Sequence, residues 1–131
     1  MKHLQVLVVE DNPLNLELVT DLLESGGFYV VSARTAEEGL KMARETSPDL
    51  VLMDLTLPGI DGLVATGLLK ADPVTGHIPV VALTARAMKG DEAVVRSFNC
   101  DGYLTKPIDT RTFLKTVNTY ISRLKPACSS R

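Results

Sequence analysis

Five short apolar runs, at residues 4–9, 28–33, 50–53, 79–84 and 102–105, constrain this chain more than any other feature. Most are rich in Val, Leu and Ile and do not alternate with polar residues. A strand with one wet face alternates with period two, whereas a strand covered on both faces does not. The runs therefore predict a parallel sheet with helices on each side. Helical signals fill the gaps. Asn12 is a good N-cap and Pro13 suits the first helical position. Leu14, Leu18, Val19, Leu22 and Leu23 follow at helical spacing, and Gly26-Gly27 stops the helix. Thr35 and Glu38 form a capping-box pair ahead of Leu40 and Ala43, in a helix that ends before Pro48. A third helix is expected over about residues 61–70, closed by Asp72-Pro73, and a fourth over about 87–98. Asp109 can cap a fifth, whose Phe113, Val117, Tyr120, Ile121 and Leu124 share one apolar face. Strand and helix alternate five times, which predicts a doubly wound α/β domain with right-handed crossovers.

The 131 residues suffice for one domain with a real core, and 45% apolar composition fits a globular interior. A net charge of −2, a sparse aromatic set and no basic stripe point to neither nucleic acid nor an anionic membrane as an obligatory partner. No run reaches the length of a membrane span, and the N-terminus enters a strand pattern without a signal-peptide layout. The expected compartment is the cytoplasm. Cys100 and Cys128 have no metal-ligand spacing and read as one semi-buried and one exposed free thiol. The domain is expected over residues 1–125, with 126–131 a short polar tail.

In an open α/β sheet, sites lie beyond the carboxyl ends of the strands. Those ends carry the reactive groups of this chain. Asp54 closes the apolar run 50–53, and a carboxylate at the tip of a buried strand is costly unless something uses it. Glu10 and Asp11 close the first run, Thr84 the fourth and Lys106 the fifth. If the first and third strands are neighbours, the three acids converge. Two like charges about 4 Å apart repel by roughly 4 kcal/mol at an effective dielectric of 20, so a cation is expected. Hard oxygen ligands with room for water suit Mg²⁺, and no His or Cys is placed to draw a softer metal. Asp54 is then a nucleophile that attacks phosphorus and forms an acyl phosphate, needing no general base because it is already ionised. Lys106 supplies a compact charge for a phosphoryl oxygen, while the Thr84 hydroxyl and the Ala85 N–H add donors. Taken singly, Asp11 also reads as a surface acid at a helix start, Lys106 as a loop lysine and Thr84 as an ordinary strand residue.

In chain order, Val8-Val9-Glu10-Asp11-Asn12, Leu52-Met53-Asp54, Leu57-Pro58-Gly59, Leu83-Thr84-Ala85 and Lys106-Pro107 resemble the receiver domain of two-component response regulators. The resemblance covers about residues 4 to 124. It implies a flavodoxin-like sheet of order 2-1-3-4-5 with five helices. It implies that Asp54 accepts a phosphoryl group from a phosphohistidine on a histidine kinase or phosphotransfer protein. Mg²⁺ would be bound by Asp11, Asp54 and the backbone carbonyl of Thr56, with Glu10 reaching it directly or through water. Lys106 and Thr84 would contact the phosphoryl group, and Tyr103 matches an aromatic switch that turns inward as Thr84 moves. Residues 77–92 look most like the stand-alone DivK-type receivers. Thr56 and Arg86 would flank the phosphoryl group and govern water access.

The expected function is thus a single-domain switch that acts through a downstream protein target, as a monomer or a phosphorylation-dependent dimer. The expected moving face is the helix at 87–98, where Gly90 adds plasticity, with the fifth strand and last helix. A metal-dependent phosphohydrolase with an aspartyl nucleophile would place a second acid where this chain has Thr56. A phosphorylation-independent binding module would not need the whole acid, Thr and Lys set. A receiver cut from a larger regulator or hybrid kinase would share every motif.

Overall fold

The computed structural model describes residues 4–55, 62–84, 100–105 and 108–124. Five strands, β1 (Gln5–Val9), β2 (Tyr29–Ala33), β3 (Leu50–Asp54), β4 (Val80–Thr84) and β5 (Gly102–Thr105), form one all-parallel sheet in the order β2-β1-β3-β4-β5. The described helices are α1 (Pro13–Ser25), α2 (Ala36–Thr46), α3 (Gly62–Ala71) and α4 (Phe113–Leu124). This is the flavodoxin-like order expected. The helix expected at 87–98, with its Gly90, and the tail at 126–131 lie outside the described residues, so α4 is the last of the five expected helices. Among the described residues no helix is long and apolar enough to cross a membrane.

Strand pleating explains the unbroken apolar runs. Val6 and Val8 of β1, Leu50 and Leu52 of β3, and Val81 and Leu83 of β4 point to one face, where Val19 and Leu23 of α1 and Phe113, Val117 and Ile121 of α4 cover them. Leu7, Val9, Val51, Met53 and Val80 point to the other, under Ala36 and Ala43 of α2 and Ala65 and Leu69 of α3. Successive residues face two separate cores, so every position of a central strand must be apolar. β2 departs from that expectation. It lies at the sheet edge, and its Tyr29 is 64% exposed with Ser32 also in water. An edge strand is covered less completely than its inner neighbours.

The helix boundaries follow their caps. Asn12 Oδ1 accepts the N–H groups of Leu14 at 2.9 Å and Asn15 at 3.1 Å. Gly27, at φ 89°, takes the left-handed turn that ends α1. Val19 and Leu23 bury as expected, but Leu14 is 75% exposed. Leu16, half-buried, packs against the core instead, so the core-facing stripe of α1 runs through Leu16, Val19 and Leu23 and Leu14 falls off it. Thr35 Oγ1 accepts the Glu38 N–H at 3.1 Å, while Glu38 reaches back to the Arg34 N–H at 2.8 Å instead of to Thr35. Asp109 caps a turn ahead of α4: its Oδ1 accepts the Arg111 N–H at 3.0 Å and its carbonyl accepts the Phe113 N–H at 3.0 Å.

Two aspartates finish the amino edge of the sheet. Asp49 Oδ2 accepts the Gln5 N–H at 2.8 Å, and Asp101 Oδ2 accepts the Val80 N–H at 2.7 Å. Lys70 of α3 pairs with that same Asp101 oxygen at 2.7 Å and donates to the Ile78 carbonyl at 2.8 Å. These acids have clear structural work.

Candidate metal centre

Register places the acids side by side. Val9 of β1 pairs with Met53 of β3, so Glu10 and Asp54 stand one step beyond that pair on neighbouring strands. Asp54 pairs on its other side with Leu83 of β4. The Glu10 N–H is held by the Ala33 carbonyl of β2 at 3.0 Å, and the Leu55 N–H by the Leu83 carbonyl at 3.0 Å. The strand tips are therefore fixed by backbone bonds before any side chain is considered. The chain then turns into α1, and Asp11 joins from the loop.

Glu10 and Asp54 are each only 1% exposed, and Asp11 is half-buried. One carboxylate oxygen from each of the three lies within 4.8 Å of the others. At that distance each charge pair repels by roughly 3.5 kcal/mol at an effective dielectric of 20. A divalent cation among them turns that repulsion into attraction. The donor set is all hard oxygen, from two buried acids and one that is open enough to leave room for water. That chemistry fits Mg²⁺, which keeps several waters and takes a small number of carboxylates. The three metal-binding acids expected from the sequence are thus brought together.

The peptide between Asp11 and Asn12 is secured at both ends. Its N–H donates to Glu10 Oε2 at 3.2 Å, and its carbonyl accepts from the Arg34 guanidinium at 3.1 Å. Arg34 stands immediately after β2 and gave no signal in the sequence.

The remaining expected residues divide. Thr84 ends β4 and pairs with Thr105 of β5, which places its backbone on the strand next to Asp54. The Thr84 side chain lies outside the described residues, as do Thr56, Ala85, Arg86 and Lys106. Tyr103 is half-buried on β5, opposite Ala82, and packs with Leu55 against the small cluster of Ala82 and Cys100. Its backbone meets the Tyr120 hydroxyl of α4, which accepts from the Tyr103 N–H at 3.4 Å and donates to the Tyr103 carbonyl at 3.3 Å. Cys100 is more buried than expected, at 9% exposure, and burial pushes its thiol above the ordinary 9.0 despite a hydrogen bond with Thr66 that pulls the other way. Cys128 lies outside the described residues.

Residues 6–118 match the family model for the response regulator receiver domain. Over 116 residues the chain is 47% identical to the polar-differentiation response regulator DivK of Brucella ovis, covering 88% of this chain and 94% of that one. Among solved structures it is similar to the receiver domain of the sensor histidine kinase PA1611 of Pseudomonas aeruginosa, which has a magnesium ion coordinated in its active-site cleft. That likeness has a TM-score of 0.84 at 30% identity, over 92% of this chain and 99% of that one. A LuxR-family two-component response regulator from Aurantimonas gives a TM-score of 0.84 at 28% identity, over 93% and 87% of the two chains. The family match runs from β1 into α4 and the DivK likeness spans most of both chains, so this chain belongs to the response regulator receiver domains of two-component signalling and is DivK-like among them.

Proposed function

We propose that this chain is a single-domain phosphorylation switch whose acceptor is Asp54. The observation that carries the reading is Asp54 itself: 1% exposed, at a strand tip, with Glu10 and Asp11 oxygens within 4.8 Å. Asp54 attacks the phosphorus of a phosphohistidine on a histidine kinase or phosphotransfer protein. An oxygen–phosphorus bond forms, the phosphorus–nitrogen bond breaks, and the departing imidazole takes a proton from solvent. Bound Mg²⁺, held by Asp11, Asp54 and the Thr56 carbonyl with Glu10 beside it, supplies positive charge to the phosphoryl oxygens. Lys106, the Thr84 hydroxyl and the Ala85 N–H complete the donor set around them.

The switch then acts by contact. Thr84 moves toward the phosphoryl group and Tyr103 turns inward, which remodels the face around β5 for a downstream protein target. The chain works in the cytoplasm as a monomer or a phosphorylation-dependent dimer, with residues 1–125 as the receiver and 126–131 as a tail. It is not a turnover enzyme beyond its own phosphotransfer and dephosphorylation. The DivK relative, matched over 94% of its length, supports the single-domain reading. The test is incubation with acetyl phosphate and Mg²⁺ followed by intact mass. Wild type gains one phosphoryl group, and Asp54→Asn or chelator abolishes the gain. Labelling of Asp54→Asn at the wild-type level would refute the assignment.

A further inference from the structure

The acidic loop has a support that lies outside the acid, Thr and Lys set. Asp11 is the acid of the three furthest from a strand, while Asp54 is the last residue of β3 and Glu10 directly follows β1 and is anchored to Ala33 by its own N–H. The Asp11 carboxylate therefore goes where the Asp11–Asn12 peptide puts it. On its N–H side that peptide is tied to Glu10 Oε2 at 3.2 Å. On its carbonyl side it is tied to the Arg34 guanidinium at 3.1 Å, across 23 residues of sequence. Arg34 is itself positioned, because its N–H donates to Glu38 Oε1 at 2.8 Å at the start of α2. The chain of contacts runs from the α2 cap to the peptide that carries the loop acid.

We propose that Arg34 is a positioning residue for the cation site, holding the Asp11–Asn12 peptide so that the Asp11 carboxylate faces Glu10 and Asp54. This rests on the reading of the acid cluster as a Mg²⁺ site. Two effects of Arg34 on a cation oppose each other, which makes the proposal testable by sign. Its charge repels Mg²⁺, so electrostatics alone predicts tighter binding when it is removed. Its hydrogen bond orders the loop, so positioning predicts weaker binding when it is removed. Positioning dominates, because an exposed guanidinium is screened by water and salt while loop order is not.

The experiment is Mg²⁺ titration calorimetry at fixed ionic strength on wild type, Arg34→Ala and Arg34→Lys. Arg34→Ala binds Mg²⁺ roughly two- to tenfold more weakly, the range set by one net hydrogen bond, and Arg34→Lys recovers part of the loss. Amide exchange on metal-free protein gives the second readout. In Arg34→Ala the Asn12 N–H exchanges several-fold faster, while the Leu16 N–H, bonded to the Asn12 carbonyl at 2.9 Å, keeps its protection. Unchanged or tighter Mg²⁺ binding by Arg34→Ala overturns the proposal and leaves the metal site standing. Equal acceleration at Leu16 also overturns it, because the whole helix start has then loosened. A wild type that binds no Mg²⁺ overturns both the proposal and the site reading on which it rests.

Discussion

Replacing Gly102 by Ala has a sign that the structure fixes. Gly102 opens β5, and a Cβ built there would sit 2.2 Å from Cε1 and 2.5 Å from Cζ of Tyr120. Tyr120 crosses the strand at this point because its hydroxyl bonds the backbone of Tyr103. The ring would have to move away, giving up both hydrogen bonds and its place against the core under α4. Overpacking of this kind costs about 1–3 kcal/mol. Relief of the glycine's excess unfolded-state freedom returns only about 0.5–1 kcal/mol. The net is a destabilisation of up to roughly 2.5 kcal/mol, or a fall of a few degrees in Tm for a domain this size. Gly67 of α3 is the matched control, because its added Cβ would meet nothing within 4 Å. Gly67→Ala therefore stabilises by about 0.5–1 kcal/mol. Urea unfolding of the two variants yields opposite shifts in midpoint. Gly102→Ala placed in a Tyr120→Ala background loses its penalty, since the obstructing ring is gone, whereas a Tyr120→Phe background keeps most of it. A Gly102→Ala protein as stable as Gly67→Ala would refute the reasoning, because Tyr120 would then not lie across β5.

Three further outcomes follow from the same geometry. Mg²⁺ at a hundred times its dissociation constant stabilises wild type by about 2.7 kcal/mol, seen as a rise in calorimetric Tm; Asp54→Asn loses most of that rise, and an equal rise removes Asp54 from the ligand set. Asp101→Ala strips one acceptor from the Val80 N–H and the ion-pair partner from Lys70, and lowers stability by about 1–3 kcal/mol in denaturant titration. Burial raises the Cys100 thiol above 9.0, so this contribution to stability is complete below pH 9.0 and is lost as pH rises from there toward the higher folded-state value. In a Cys128→Ser background, disulfide reagents at pH 8 accordingly label folded Cys100 slowly and unfolded protein quickly.

The sequence carried the strands almost to the residue, for a physical reason. A central strand that feeds two cores leaves no polar position inside it, so its ends are sharp: β3 is apolar from Leu50 to Met53 and stops at Asp54. Caps were legible for the same kind of reason, since Asn12 and Thr35 act within three residues of themselves. What the sequence left open was long-range. Convergence of Glu10 and Asp54 required β1 and β3 to be neighbours, and that depends on sheet order, which no local pattern encodes. Arg34 was missed because its partner lies 23 residues away and its own neighbourhood reads as an ordinary loop. Leu14 was misplaced because the leucine-rich start of α1 offers more than one apolar face, and the one that meets the core runs through Leu16, Val19 and Leu23.

That division bears on how a cation site of this kind is built. Glu10 and Asp54 are buried and stand at strand tips fixed by backbone pairing, so their separation is set by the spacing of neighbouring strands. Asp11 sits on the loop, half in water, and its position depends on one peptide secured from both sides. Substitutions that disturb strand packing therefore act on stability and metal affinity together. Substitution at Arg34 acts on the loop alone and changes affinity with little change in global unfolding. Gly39→Ala belongs to the first class, since its Cβ would fall 2.7 Å from Cγ2 of Val9, the residue before Glu10. Measuring both quantities on Gly39→Ala and Arg34→Ala separates the two mechanisms. A fall in stability that accompanies lost affinity in both variants would show that loop and strand tips form one cooperative unit.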